Sequence, residues 1–151
     1  MATASPHGIE WPALPYAAWK DTRDTLHLWT QIVGKIRLTL TPWINHSWHV
    51  ALYLTARGLT TSPIPYAGRE FQIDFDFIDH VLWIRTSDGH FRQLMLAPMP
   101  VAQFYAELLA ALGRQFPEGD PGADVPAFLE RLVKKGLLRD AADPQAAGPP
   151  G

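Results

Sequence analysis

A chain of 151 residues with 47% hydrophobic and 19% charged side chains has the size of one domain and the composition of a globular one. Its zero cysteines exclude disulfides, thiolate catalysis and cysteine-ligated zinc or iron–sulfur centres, and a formal charge of −2 leaves no electrostatic footprint for nucleic acid or an anionic membrane. The opening residues lack the apolar core of a secretory signal, and no run approaches the roughly 18 apolar residues of a membrane span, so the expectation is a cytoplasmic domain that binds neither nucleic acid nor membrane.

Residues 1–16 carry Pro6, Pro12 and Pro15 and read as an extended lead-in docked through Trp11, Leu14 and Tyr16. From Ala17 to Val33, Trp19, Leu26, Trp29 and Val33 recur at helical spacing with Lys20, Asp24, His27 and Gln31 toward the other side, which predicts an amphipathic helix stopped by Gly34. The period then changes. Ile36, Leu38 and Leu40 alternate with Arg37 and Thr39, and Val50, Leu52 and Leu54 alternate with His49, Ala51 and Tyr53, so residues 34–57 read as two strands joined by a histidine- and tryptophan-rich corner.

Leu59 to Tyr66 reads as an extended loop stiffened by Pro63 and Pro65. Phe71, Ile73, Phe75 and Phe77 against Gln72, Asp74 and Asp76 give the clearest alternation, and a tight turn at Asp79-His80 would set Phe77 opposite Leu82, Phe75 opposite Ile84 and Asp74 opposite Arg85. Ser87 to His90 marks the next turn, leading into Phe91–Leu96. A second helix follows on Val101, Phe104, Tyr105, Leu108, Leu112 and Phe116. A third, short one is N-capped by Asp124, with Val125, Phe128, Leu129, Leu132 and Val133 on its stripe and Gly136 ending it. Residues 139–151 read as a fraying tail.

The expected fold is α+β: residues 17–138 form one domain, an antiparallel meander of about five strands with one face covered by N- and C-terminal helices. Strand parity then puts His49 and Tyr53 on the uncovered face with Asp74 and Asp76. One register sets His49 opposite Asp76, with His80 at the next turn and Arg37 and Arg85 nearby. Three chemistries use that face. His49, Asp74, Asp76 and His80 are a candidate nitrogen and oxygen ligand set for a divalent metal, the only cofactor the sequence suggests. Asp76 orienting His49 as a general base, with Tyr53 or Arg85 stabilising negative charge, makes the catalytic candidate. Trp48, Arg37 and Arg85 are the candidate ligand-binding residues. The plainer reading of the same residues is a solvated face of ion pairs, Asp74 with Arg85 and His49 with Asp76. No serine signature accompanies the histidines, and Gly34-Lys35 lacks the glycines and the preceding strand of a phosphate loop.

Several segments, taken in order, carry a resemblance: Trp11-Pro-Ala-Leu-Pro-Tyr, Leu26-His-Leu-Trp-Thr-Gln-Ile-Val-Gly-Lys-Ile-Arg-Leu, Asn45-His-Ser-Trp-His-Val-Ala-Leu-Tyr, Thr55-Ala-Arg-Gly-Leu-Thr-Thr-Ser-Pro-Ile-Pro-Tyr and Phe75-Asp-Phe-Ile-Asp-His. Over residues 11–112 or so the chain resembles the N-terminal half of a bacterial family known only as a domain of unknown function. The resemblance implies no activity. It does imply a duplicated architecture of which this chain is one half, so that a homodimer would supply the other. Residues 121–138 are instead similar to the last helix of winged-helix domains that bind leader peptides. These readings converge on ligand or partner binding, of a small molecule or peptide, through the polar sheet face. The alternatives are a metal-assisted or His/Asp acid–base enzyme and an adaptor that adds a peptide strand to a sheet edge.

Overall fold

The apolar stripe that starts at Leu26 does not stop at Gly34. Trp29, Val33, Ile36, Arg37 and Leu40 continue it at three- and four-residue spacing, and in the computed structural model, which describes residues 12–116 with 126 and 127, helix α1 runs Tyr16–Leu40. The expected first strand is therefore the last two turns of this helix. Ile36, Leu38 and Leu40 alternate, yet Ile36 and Leu40 also sit four apart below Val33, and packing against the core selects the helical period. Gly34 lies within the helix without ending it, close to the segment that follows: a Cβ there would lie 3.8 Å from the Val50 carbonyl oxygen. Pro42 does end it, by holding Thr41 extended at φ −93° and ψ 141°.

The expected second strand is also mostly absent. Asn45–Val50 is a tight 3-10 turn in which His46 and Ser47 are both left-handed, and only Tyr53–Leu54 forms a strand, β1. The remaining strands are β2 (Gly58–Thr60), β3 (Ile64–Tyr66), β4 (Arg69–Asp76), β5 (Val81–Thr86) and β6 (Phe91–Met95), followed by helix α2 (Val101–Gln115). The sheet is antiparallel in the order β1-β2-β4-β5-β6, with β3 also paired to β4. Strands β2 and β3 lie end to end along one edge of β4. Between them buried Thr61 bonds Ile73 twice, donating its N–H to the Ile73 carbonyl and accepting the Ile73 N–H on its hydroxyl, both at 3.0 Å. The loop expected at 59–66 thus supplies two short strands, which makes six among the described residues rather than about five.

The β4–β5 hairpin keeps the expected faces but slides by two residues. Phe75 pairs with Leu82, Ile73 with Ile84 and Asp76 with Val81, so Phe77 to His80 form a four-residue turn instead of a tight one at Asp79-His80. Asp76 causes the change by accepting the N–H groups of Ile78 and Asp79 at 3.0 Å each.

Phe71, Ile73 and Phe75 of β4, Leu82 and Ile84 of β5 and Leu94 of β6 bury one sheet face against α1 and α2. Trp29 of α1 stacks on Phe104 of α2, centroids 4.6 Å apart, and Phe71 meets Phe116 edge-on at 5.4 Å. The other face presents Gln72, Asp74, Trp83, Arg85, Phe91 and Met95, half-buried or exposed. The fold is thus the expected α+β one, with both described helices on the same side. The third helix, the tail and residues 1–11 lie outside the described residues, apart from Pro126 and Ala127. No described helix is long and apolar enough to cross a membrane.

Two glycines make opposite predictions. Gly58 has φ +158°, and a Cβ would lie 2.0 Å from the Phe75 carbonyl oxygen, so Gly58→Ala must push β2 off β4. Urea denaturation should show a loss at or above the upper end of the roughly 1–3 kcal/mol typical of overpacking. Gly34 meets only an ordinary contact at 3.8 Å, so Gly34→Ala should gain about 0.5–1 kcal/mol from helix propensity in the same measurement.

Candidate functional site

The corner between α1 and β1 is built on two buried polar side chains. Arg37, 5% exposed on the last turn of α1, donates to the Ala51 carbonyl and lies 5.5 Å from the centre of the Tyr53 ring. Its Nε has no hydrogen-bond partner among the described residues, and burial lowers the guanidinium pKa against the opposing pull of Tyr53. His49 is 1% exposed; its Nδ1 accepts the Ile44 N–H at 3.4 Å, and Trp43 lies against the ring at 5.0 Å. With both anchors inside, the segment between them is turned outward.

That segment holds His46 at φ 57° and Ser47 at φ 59°, consecutive left-handed residues that are not glycine and that cost of order 1–3 kcal/mol each. Ser47 N–H to the Ile44 carbonyl at 3.1 Å and Ala51 N–H to the Trp48 carbonyl at 3.3 Å hold the turn on either side. Large apolar side chains are exposed along this stretch and the strand after it. Trp43 is 68% exposed, Trp48 69% and Leu54 87%, with Ile44 and Tyr53 about half exposed. No Asp, Glu, Lys or Arg occurs between residues 41 and 56.

Four of the residues singled out in the sequence therefore meet here: Arg37, His49, Trp48 and Tyr53. The expected facing of His49 and Asp76 does not occur, because β2 runs beside β4 there and Asp76 is paired with Gly58. Asp76 instead takes the Arg57 Nε at 2.6 Å, and Arg57 also reaches Asp79 at 2.7 Å. The Arg57 hydrogen bond, helped by the Asp79 and Ile78 N–H groups, holds the Asp76 carboxyl down at about 2. Asp74 lies on the open face as expected, bonded to Arg85 at 2.6 Å and to Gln72 at 2.7 Å, while Arg85 covers the Trp83 ring at 4.7 Å. His80 sits in the β4–β5 turn at φ 54°, lining a cavity at that end of the sheet. The four candidate metal ligands are thus divided among the corner, the open face and the turn. Among the described residues no group of three or more His, Asp or Glu side chains is arranged to hold a metal.

Arg57 is the residue that the sequence did not flag. Its signal is weak, an arginine before a glycine at a strand end. Trp43 was visible as a corner tryptophan, though nothing in its spacing distinguished exposure from burial.

One family model matches residues 11–118, described as a family of unknown function, DUF5996. No curated protein and no solved structure gives a match. The stretch read as similar to a winged-helix segment lies beyond the matched residues.

The lowered pKa of Asp76 makes a prediction about acid stability. A carboxyl held below its usual 3.8 stabilises the fold above that value, and the contribution is lost as pH falls through about 2. Thermal melts should therefore show Tm dropping between about pH 4 and pH 2. Asp76→Asn should lower Tm at neutral pH and flatten the slope in that acid window.

Proposed function

The chain belongs to this family of unknown function, a membership that brings no chemistry with it, and from the geometry of the corner we propose that it is a binding module whose aromatic surface receives a second copy of itself. The observation that carries the reading is the exposure of Trp48 on the strained turn, with Trp43 before it and Leu54 after it also exposed, while Arg37 and His49 beside them are buried. Tryptophan on a rigid support is the residue type that most often dominates binding energy. Five exposed large apolar residues within twelve positions are more than the scattered single ones an ordinary surface carries.

Charge favours a second copy over a partner of opposite sign. A two-fold interface sets each patch against itself, so a charged patch would repel its own image, whereas residues 41–56 carry no acidic or basic side chain besides histidine. We place the module in a bacterial cytoplasm, a setting compatible with its cysteine-free sequence. Acid–base catalysis by His49 and Asp76, with Tyr53 assisting, is not part of the reading, because His49 is enclosed and Asp76 is taken by Arg57.

Sedimentation velocity over a concentration series tests the proposal. The protein should sediment as a dimer at micromolar concentration. Trp43→Ser and Trp48→Ser should each weaken association by roughly 30-fold or more, as expected of hot-spot residues, while circular dichroism is unchanged. A protein that stays monomeric throughout, or a dimer indifferent to both substitutions, would overturn it.

A further inference from the structure

Strand β6 is the last in the sheet order and pairs on one side only, with β5. Its hydrogen bonds fix which backbone groups that pairing uses. The Thr86 N–H donates to the His90 carbonyl at 2.9 Å and the Leu96 N–H to the His80 carbonyl at 2.8 Å, and between them the register pairs Ile84 with Arg92 and Leu82 with Leu94. Bonded and non-bonded pairs alternate along an antiparallel ladder, so the even-numbered residues bond β5 while the N–H and C=O groups of Phe91, Gln93 and Met95 point away from the sheet. Among the described residues only the Phe91 carbonyl has a partner there, the Arg92 guanidinium at 3.1 Å. An edge of this kind is a template for a further strand.

Beside the edge a groove of about 420 Å³ opens between β6 and α2, lined by Arg92, Leu94, Met95, Met99, Glu107 and Arg114. Between its two charged residues the helix contributes only Ala110 and Ala111, which leaves the space unfilled. Helix α2 runs back along β6, because Phe116 at its end packs on Phe71, whose partner Thr86 is bonded to His90 at the start of β6. Arg114 therefore lies toward the Arg92 end of the groove and Glu107 toward the Met95 end. Neither arginine is ion-paired among the described residues, whereas Glu107 accepts from Gln103 at 2.8 Å. One end of the groove is basic and the other mostly apolar.

We infer that β6 and this groove bind an acidic peptide in extended form, added to the sheet as a further strand. Main-chain bonds to Phe91, Gln93 and Met95 hold it, and its alternate side chains turn to the α2 side. There an Asp or Glu stands opposite Arg92 at the Arg114 end, and two residues away an aliphatic side chain stands opposite Leu94, toward Met99. A second copy of β6 fits this edge less well: two-fold pairing about Gln93 would set the two Arg92 side chains diagonal to each other on one face, with no carboxylate between them. The groove shares no residue with the aromatic corner, so it stands or falls apart from the dimer.

The probe is the acetylated and amidated peptide Ser-Val-Leu-Thr-Glu-Val-Ser, titrated into nitrogen-15-labelled full-length protein. Laid antiparallel to β6, it sets its Leu opposite Leu94 and its Glu opposite Arg92. At concentrations up to about 1 mM it should shift the Phe91, Gln93 and Met95 amide resonances. The same peptide with Gln for Glu should bind at least about threefold more weakly, a difference that the double variant Arg92→Gln, Arg114→Gln removes, both side chains being exposed. Gln93→Pro takes away an outward N–H that the pairing with β5 does not use, so it should abolish the shifts at Phe91 and Met95 while the spectrum keeps its dispersion. Amides of β6 that stay unmoved at about 1 mM would overturn the inference. So would equal binding of the two peptides, a difference that persists in the double variant, or shifts that survive in a folded Gln93→Pro. Should Gln93→Pro prove unfolded, N-methylation of the peptide's Thr, the residue set against Gln93, decides in its place: binding that survives it overturns the added strand.

Discussion

The carboxylate of Asp76 is the constraint on which the sheet depends. One oxygen takes Arg57 from the β1–β2 connection, and the other takes two backbone N–H groups of the following turn. A carboxylate bound on both sides is held ionised, and its neighbours are held with it. From this one group follow the four-residue length of the β4–β5 turn, the pairing of Phe75 with Leu82, and the seating of β2 so close to β4 that only Gly58 fits. The Phe77 N–H to the Arg57 carbonyl, at 2.8 Å, closes the same junction from the backbone side.

The second constraint is the length of α1. By running on to Leu40 the helix carries Arg37 beneath the chain that follows, where the guanidinium meets the Ala51 carbonyl and the Tyr53 ring. Had the helix ended at Gly34, as its glycine suggested, Arg37 would have stood on a strand facing solvent. Buried instead, it and His49 satisfy backbone groups of an irregular segment, which is what allows that segment to be strained and still well defined. The exposed tryptophans are thus a consequence of where two polar side chains went.

Much of this fold is legible in the sequence wherever the pattern is long. The alternating residues Phe71, Ile73 and Phe75 and the stripe from Val101 to Phe116 each repeat often enough for only one period to fit, and their inward faces are those expected, while the turn at Ser87 to His90 is marked by its residue types. Residues 35–41 failed because three alternating apolar positions satisfy both periods, so the decision passes to tertiary packing. The β4–β5 register failed because apolar faces repeat every two residues: a slide of two leaves every side chain on its own face, and only the hydrogen bonds of Asp76 distinguish the alternatives. The candidate site failed for a different reason. Histidine and arginine were assigned to an open face by parity, whereas His49 lies in a turn with no parity and Arg37 lies on a helix. Asp74 with Arg85, both on real strands, fell where parity put them.

The corner and the groove sit on one sheet but at its opposite edges. Strand β1 leaves the corner and β6 borders the groove, and four strand spacings of roughly 4.8 Å set them about 19 Å apart across the sheet. Between them Ile73, Phe75, Leu82 and Ile84 are fixed in the core against α1 and α2. Coupling between two sites requires an element with two arrangements that both sites bias, and a close-packed sheet in a single seating is not one. Occupation of the groove should therefore leave self-association at the corner unchanged, and substitutions at the two edges should add.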